Sequence, residues 1–73
     1  MEETKFFFER KICKCKKDCT LYGYYDDKLQ FYKMREYKVE VFPTFYNVYM
    51  VNDFYHYVSL TDDDFNAYFE MVI

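Results

Sequence analysis

The stretch Tyr37-Lys38-Val39-Glu40-Val41-Phe42-Pro43-Thr44-Phe45-Tyr46-Asn47-Val48-Tyr49-Met50-Val51-Asn52-Asp53-Phe54-Tyr55-His56-Tyr57-Val58-Ser59-Leu60 decides the fold class. In its first five residues, Tyr37, Val39 and Val41 alternate with Lys38 and Glu40, the period of a half-buried β-strand. Pro43-Thr44 turns the chain, because Pro presets φ and cannot donate to a ladder. Phe45 to Val51 is expected to form a second strand and Phe54 to Leu60 a third. Asn52-Asp53 between them is a two-residue hairpin turn, since both residues tolerate left-handed backbone. On the third strand Phe54, His56, Val58 and Leu60 share one face, and Tyr55, Tyr57 and Ser59 the other.

Toward the C-terminus the period changes. Thr61 is a good N-cap, and Asp64 stands at the capping-box position. Asp62, Asp63 and Asp64 fall in a first helical turn, where the helix dipole favours negative charge. Phe65, Tyr68, Phe69 and Val72 follow i, i+3, i+4, i+7 spacing, which predicts a short helix packing an aromatic face on the sheet. Toward the N-terminus, Phe6-Phe7-Phe8 opens an apolar approach to a strand over Arg10 to Lys16. There Cys13 and Cys15 lie on one face and Lys14 and Lys16 on the other. Lys17-Asp18 ends that strand, Cys19 to Lys28 reads as a loop, and Leu29 to Lys33 as a short strand. The fold class that follows is mainly β: short antiparallel strands curled into a small barrel or half-barrel, with a short C-terminal α-helix.

Seventy-three residues make one domain, 1–73, with a modest core. Aromatics are 26% of the chain, ten Tyr and nine Phe, which suits a pleated surface and excludes a disordered chain. Gly occurs once, so the close backbone approach of a catalytic or phosphate-binding loop has almost no material. No Ser/His/Asp set and no metalloprotease pattern occurs, and the expectation is a protein without catalytic activity. Met1 to Lys5 is acidic with no apolar signal core behind it. No apolar run approaches the roughly 20 residues that span a bilayer, so a cytoplasmic setting without membrane contact is expected.

The net charge of −3 conceals an asymmetry. All ten basic residues lie at or before Lys38, where they face seven acids; the residues from Val39 onward carry six acids and no base. An acidic half can dock on a basic surface, including one that ordinarily holds nucleic acid. Tyrosine is enriched in binding interfaces, and Tyr55 and Tyr57 project outward while Tyr22, Tyr24 and Tyr25 fall in a loop. Asp53, Asp62, Asp63, Asp64, Tyr55 and Tyr57 are therefore the candidate partner-binding residues.

Cys13-x-Cys15-x-x-x-Cys19 and the lone His56 form the other constellation. Three thiols within seven residues of a cytosolic chain point to metal before disulfide. Cys13, Cys15, Cys19 and His56 would make a closed structural zinc site, with nearby Lys14, Lys16 and Lys17 favouring thiolates. Cysteine also behaves as a small hydrophobe, so core packing is the competing expectation, and a redox or intermolecular disulfide is a third.

The order of apolar positions resembles small SH3-like β-barrel proteins of phages and prophages. The residues that carry the resemblance are Cys15-Lys16-Lys17-Asp18, Phe31 to Met34 to Tyr37-x-Val39, the segment Asn47 to Asp53, and Phe65-Asn66-Ala67-Tyr68-Phe69. Met34 stands where that pattern has Gly. Acidic proteins of this size and type include anti-CRISPR proteins, and the resemblance implies an inhibitor that binds a host CRISPR effector nuclease and blocks nucleic-acid loading. Two other functions fit the residues: a nucleic-acid-binding module using Arg10, Lys11, Lys14, Lys16 and Lys17, and a homo-oligomer joined through sheet edges.

Overall fold

The computed structural model describes residues 8–72. Phe6, Phe7 and the Met1–Lys5 segment considered above lie outside the described residues. Seven strands and one helix run β1 Glu9–Cys15, β2 Cys19–Tyr22, β3 Lys28–Phe31, β4 Glu36–Val41, β5 Tyr46–Tyr49, β6 Tyr57–Leu60, α1 Asp62–Tyr68 and β7 Phe69–Met71. Five strands form one antiparallel sheet in the order β6-β5-β4-β1-β7, and β2 and β3 form a separate hairpin. The last strand pairs with the first, which curls the meander into the expected antiparallel half-barrel.

The inner face of the sheet is set by register. Lys11 lies opposite Val39, Cys13 opposite Tyr37 and Met71, and Cys15 opposite Phe69. Across β4 and β5, Val39 opposes Val48, and Val48 opposes Val58. The hairpin lays Leu29 and Phe31 over this face and α1 adds Phe65, giving a core of Cys13, Cys15, Leu29, Phe31, Tyr37, Val39, Val48, Val58, Leu60, Phe65 and Phe69. Aromatic rings run through it as a chain. Phe31 meets Tyr37 at 4.9 Å and Phe69 at 5.3 Å edge to face; Phe65 lies 5.7 Å from Phe69 and stacks on Tyr46 at 4.2 Å. Such contacts add roughly 0.5–1.5 kcal/mol each beyond burial. The buried Tyr37 hydroxyl accepts the Tyr32 N–H at 2.9 Å, so no polar atom is stranded there.

Five expectations are corrected. Cys19–Tyr22, expected as loop, is strand β2, with Cys19 and Leu21 half-buried against the core and Thr20 and Tyr22 exposed. The strand expected over Phe54 to Leu60 begins at Tyr57, and that expected over Phe45 to Val51 is Tyr46–Tyr49. Their connection is therefore the longer loop Met50–His56, closed by a Met50 N–H bond to the His56 carbonyl at 3.1 Å, although Asn52 is left-handed (φ 57°) as expected. The Asp53 carboxylate explains the loop: its Oδ1 accepts the N–H groups of Tyr55 and His56, which removes both donors from any ladder. The helix is capped by Thr61, whose hydroxyl accepts the Asp64 N–H at 3.2 Å, but it stops at Tyr68. Beyond it the chain pairs with the open side of β1, Lys16 N–H to Tyr68 carbonyl and Val72 N–H to Ile12 carbonyl, both 2.8 Å.

Met34, which stands where the resembled pattern has Gly, takes left-handed backbone. The Tyr32–Arg35 turn places Met34 at φ 73°, and Met34 and Arg35 together face Cys15 as a bulge. Left-handed backbone costs a side-chain-bearing residue about 1–2 kcal/mol, and Met34, 63% exposed, packs little in return. Met34→Gly is expected to stabilise the protein by about 0.5–1 kcal/mol after the entropy of an added glycine is deducted. Chemical denaturation should show this as a higher midpoint with an unchanged slope.

Candidate functional site

Two loops meet at one end of β6. The β2–β3 tip turns through Tyr22, Gly23, Tyr24, Tyr25, Asp26 and Asp27, closed by Gly23 N–H to Asp27 carbonyl at 2.7 Å. It is fastened to the sheet by a Tyr24 N–H bond to the Tyr57 carbonyl, 2.8 Å. Tyr57 lies at the free edge of β6, so the hairpin tip caps part of an edge that would otherwise offer its carbonyls to another chain. Gly23 permits the approach: a Cβ there would lie 2.8 Å from Asp27 Oδ1 and from a Leu29 methyl, and 3.1 Å from the Tyr57 carbonyl.

The rings of the two loops interleave. Tyr24 stacks on Tyr57 at 5.3 Å and Tyr25 on Tyr55 at 4.6 Å, while Tyr24 and Tyr25 meet edge to face at 5.1 Å. Tyr24, Tyr25 and Tyr55 remain exposed at their outer faces. Beneath them lies His56. Its Nδ1 donates to Asp53 Oδ2 at 2.9 Å, since a carboxylate can only accept, and its Nε2 is 3.6 Å from Asp27 Oδ2. One imidazole thus lies between a carboxylate of each loop, and among the described residues the other Asp27 oxygen, Oδ1, is buried without a hydrogen-bond partner. The result is a rim of exposed tyrosine faces around two carboxylates.

Asp53 is the anchor of this rim. The His56 and Tyr55 N–H groups and the imidazole hold its carboxyl at a pKa of about 2, below the ordinary value of 3.8. A depressed carboxylate stabilises the fold above its unfolded pKa and ceases to as pH falls through the folded one. The loop is expected to persist down to about pH 4 and to open between pH 4 and 2, followed by the backbone amide resonances of Tyr55 and His56. Asp53→Asn should remove that acid transition.

The residues expected to bind a partner are divided. Asp53, Tyr55 and Tyr57 join the rim. Asp62, Asp63 and Asp64 lie past the other end of β6, separated from Tyr57 by about 10 Å of strand. Asp62 there sits beside the Tyr46 hydroxyl and pushes that phenol up. Tyr24, Tyr25 and Asp27 were not among the expected binding residues, although a loop holding three tyrosines and two aspartates was the signal for them.

The residues of the expected zinc set are likewise divided. Cys13 and Cys15 are fully buried in the core, and the Cys15 thiol donates to the Lys17 carbonyl at 2.9 Å. Cys19, half-buried, lies beside Cys15, whereas His56 is held by Asp53 and Asp27. Among the described residues, no three His, Cys, Asp or Glu side chains are grouped to hold a metal ion. Burial, then the neighbouring Cys15, push the Cys13 thiol up to about 12 and Cys19 to about 11, and the opposing pull of Lys17 on Cys19 is smaller. Cys19 is expected to react with a thiol reagent in the folded protein, and Cys13 and Cys15 only after denaturation. Mass spectrometry of the labelled, digested chain reads that order, and protection of all three thiols that a chelator relieves would instead place a metal there.

Fold and rim together define a small half-barrel that displays a cluster of exposed, mutually stacked tyrosines. The chain matches no family model, no curated protein and no solved structure. Among the described residues no helix is long and apolar enough to cross a membrane.

Proposed function

We propose that this chain is a protein-binding module and that it acts by covering a basic surface of its partner with the tyrosine rim. The observation that carries this reading is the rim itself: Tyr24, Tyr25 and Tyr55 are exposed and pre-stacked around Asp27 and Asp53, with the tip fastened by the Tyr24 N–H bond to Tyr57 and the loop by Asp53. Rigid aromatic groups lose little entropy on binding and dominate interface energies. The carboxylates beneath them favour Lys and Arg on the other side, which also meet tyrosine faces favourably. A partner with a nucleic-acid channel has such a surface, and a CRISPR effector nuclease, the partner implied by the resemblance to anti-CRISPR proteins, is the first candidate of this class.

The test is inhibition of DNA cleavage by such a nuclease, together with direct binding to it. Tyr25→Ser/Tyr55→Ser is expected to weaken both at least tenfold, with an unchanged circular dichroism spectrum. Asp62→Asn/Asp63→Asn/Asp64→Asn should have a much smaller effect. The reverse order would move the interface to the helix end and sink the rim as the binding surface. Absence of binding by the unaltered chain would remove this partner class.

A further inference from the structure

The outer face of the sheet, turned away from the core and next to the rim, with which it shares Asp53, carries a groove of about 540 Å³. That is within the roughly 300–1,000 Å³ of small-molecule sites. Register builds it: Arg10 lies opposite Glu40 and Ile12 opposite Lys38 on β1 and β4, and Tyr49 of β5 completes the floor. Phe54, from the Met50–His56 loop, forms one wall, and at 84% exposure its ring is open to an incoming group.

The charges in the groove are unequally engaged. Glu40 accepts the Tyr49 hydroxyl at 3.1 Å, and both oxygens of Asp53 are taken by Tyr55 and His56. Burial, then Glu40, push the Tyr49 phenol up to about 12, so it stays a donor and keeps Glu40 turned toward it. Among the described residues, Arg10 and Lys38 have no carboxylate within 4.0 Å. They face rings instead, the guanidinium 5.1 Å from the Phe8 centroid and the ammonium 5.3 Å from that of Phe54. As diagonal neighbours on one face they stand about 7–8 Å apart at the backbone, a span one phosphate can bridge.

We propose that this groove binds a small aromatic anion of nucleotide size, its ring against Phe54 and Ile12 and its phosphate between Arg10 and Lys38. Exposed aromatic side chains stack nucleobases, and the cations supply the donors the groove leaves unused. Occupation by a long strand is disfavoured by charge: the chain carries −3 overall, and Glu9 and Glu36 flank the cations on the same sheet.

Adenosine monophosphate titrated into the isotope-labelled full chain tests this by amide shifts. Saturable shifts are expected at Arg10, Ile12, Lys38, Tyr49 and Phe54, with adenosine and inorganic phosphate each at least tenfold weaker. Phe54→Ala and Lys38→Gln should each weaken binding at least tenfold. Tyr49→Phe frees Glu40 to pair with Arg10, and should weaken it severalfold while the spectrum stays folded. Adenosine monophosphate binding no tighter than phosphate, shifting residues elsewhere, or indifferent to Phe54→Ala overturns the proposal. Tighter, steeply salt-dependent binding of oligothymidylate also overturns it, in favour of a nucleic-acid strand. None of these substitutions replaces a rim tyrosine, so failure here leaves the rim's partner binding to its own test.

Discussion

Phe31→Ala is expected to lower the stability of the folded protein by about 3–5 kcal/mol. The ring is fully buried, and it is the largest side chain that the β2–β3 hairpin packs into the core, edge-on to both Tyr37 and Phe69. Its removal deletes apolar transfer energy, two aromatic contacts and the volume between hairpin and sheet. The hairpin has no ladder to the five-stranded sheet, and its other attachments are smaller: Leu29, the half-buried Cys19 and Leu21, and the Tyr24 N–H bond to the Tyr57 carbonyl. A domain of this length has roughly 4–11 kcal/mol in total, at about 0.05–0.15 kcal/mol per residue. The variant should therefore unfold at a much lower denaturant concentration or lose cooperativity at 37 °C. A shift below about 1 kcal/mol would mean that the hairpin is not packed as described.

Gly23→Ala is expected to cost about 1–3 kcal/mol and to act mainly on the rim. Gly23 does not have positive φ, so the requirement is for space and not for left-handed backbone. The added methyl would meet Asp27 Oδ1 and Leu29 at 2.8 Å and the Tyr57 carbonyl at 3.1 Å. The side chains can yield; the carbonyl belongs to β6 and cannot move far. The relief is for the tip to lift, which lengthens the Tyr24 N–H bond to Tyr57 and parts Asp27 from His56. The amide of Tyr24 should then exchange with solvent much faster than in the unaltered chain, while amides of β1 and β4 keep their protection. Uniform loss of protection would show that the tip and the sheet open as one unit.

The parts of the fold read correctly from sequence are those where charge marks the outside. β4 carries Lys38 and Glu40 between Tyr37, Val39 and Val41, and β1 carries Lys14 between Cys13 and Cys15, so period two is unambiguous. Where tyrosine and phenylalanine fill both faces, the period loses its label. Phe54, His56, Val58 and Leu60 look like one face of a strand, yet Phe54 and His56 belong to a loop because Asp53 captures the N–H groups the strand would need. The same blurring hid β2, whose Cys19-Thr20-Leu21-Tyr22 alternates but runs straight into Gly23 and more tyrosine. β7 was invisible for another reason: Phe65, Tyr68, Phe69 and Val72 fit a helix locally, and only the distant, unpaired side of β1 draws residues 69–71 into strand. Of the candidate site, Asp53, Tyr55 and Tyr57 were legible. Their alliance with Tyr24, Tyr25 and Asp27 was not, because it depends on where a separate hairpin lands.

The place of β1 inside the sheet, between β4 and the edge strand β7, also governs the order in which the chain can assemble. A ribosome releases β1 first and β7 last, so β1 must wait with one side unpaired until nearly the whole described chain has emerged. Pairings this distant in sequence close slowly, because loop entropy is lost before they return any energy. β4, β5 and β6 can meander onto β1 during synthesis, but Phe69, which ties Phe31, Tyr37 and Phe65 together, arrives only afterwards. The nascent chain thus passes through a stage with a bare sheet edge and an unfilled centre, the stage at which it is most exposed to pairing with its own copies.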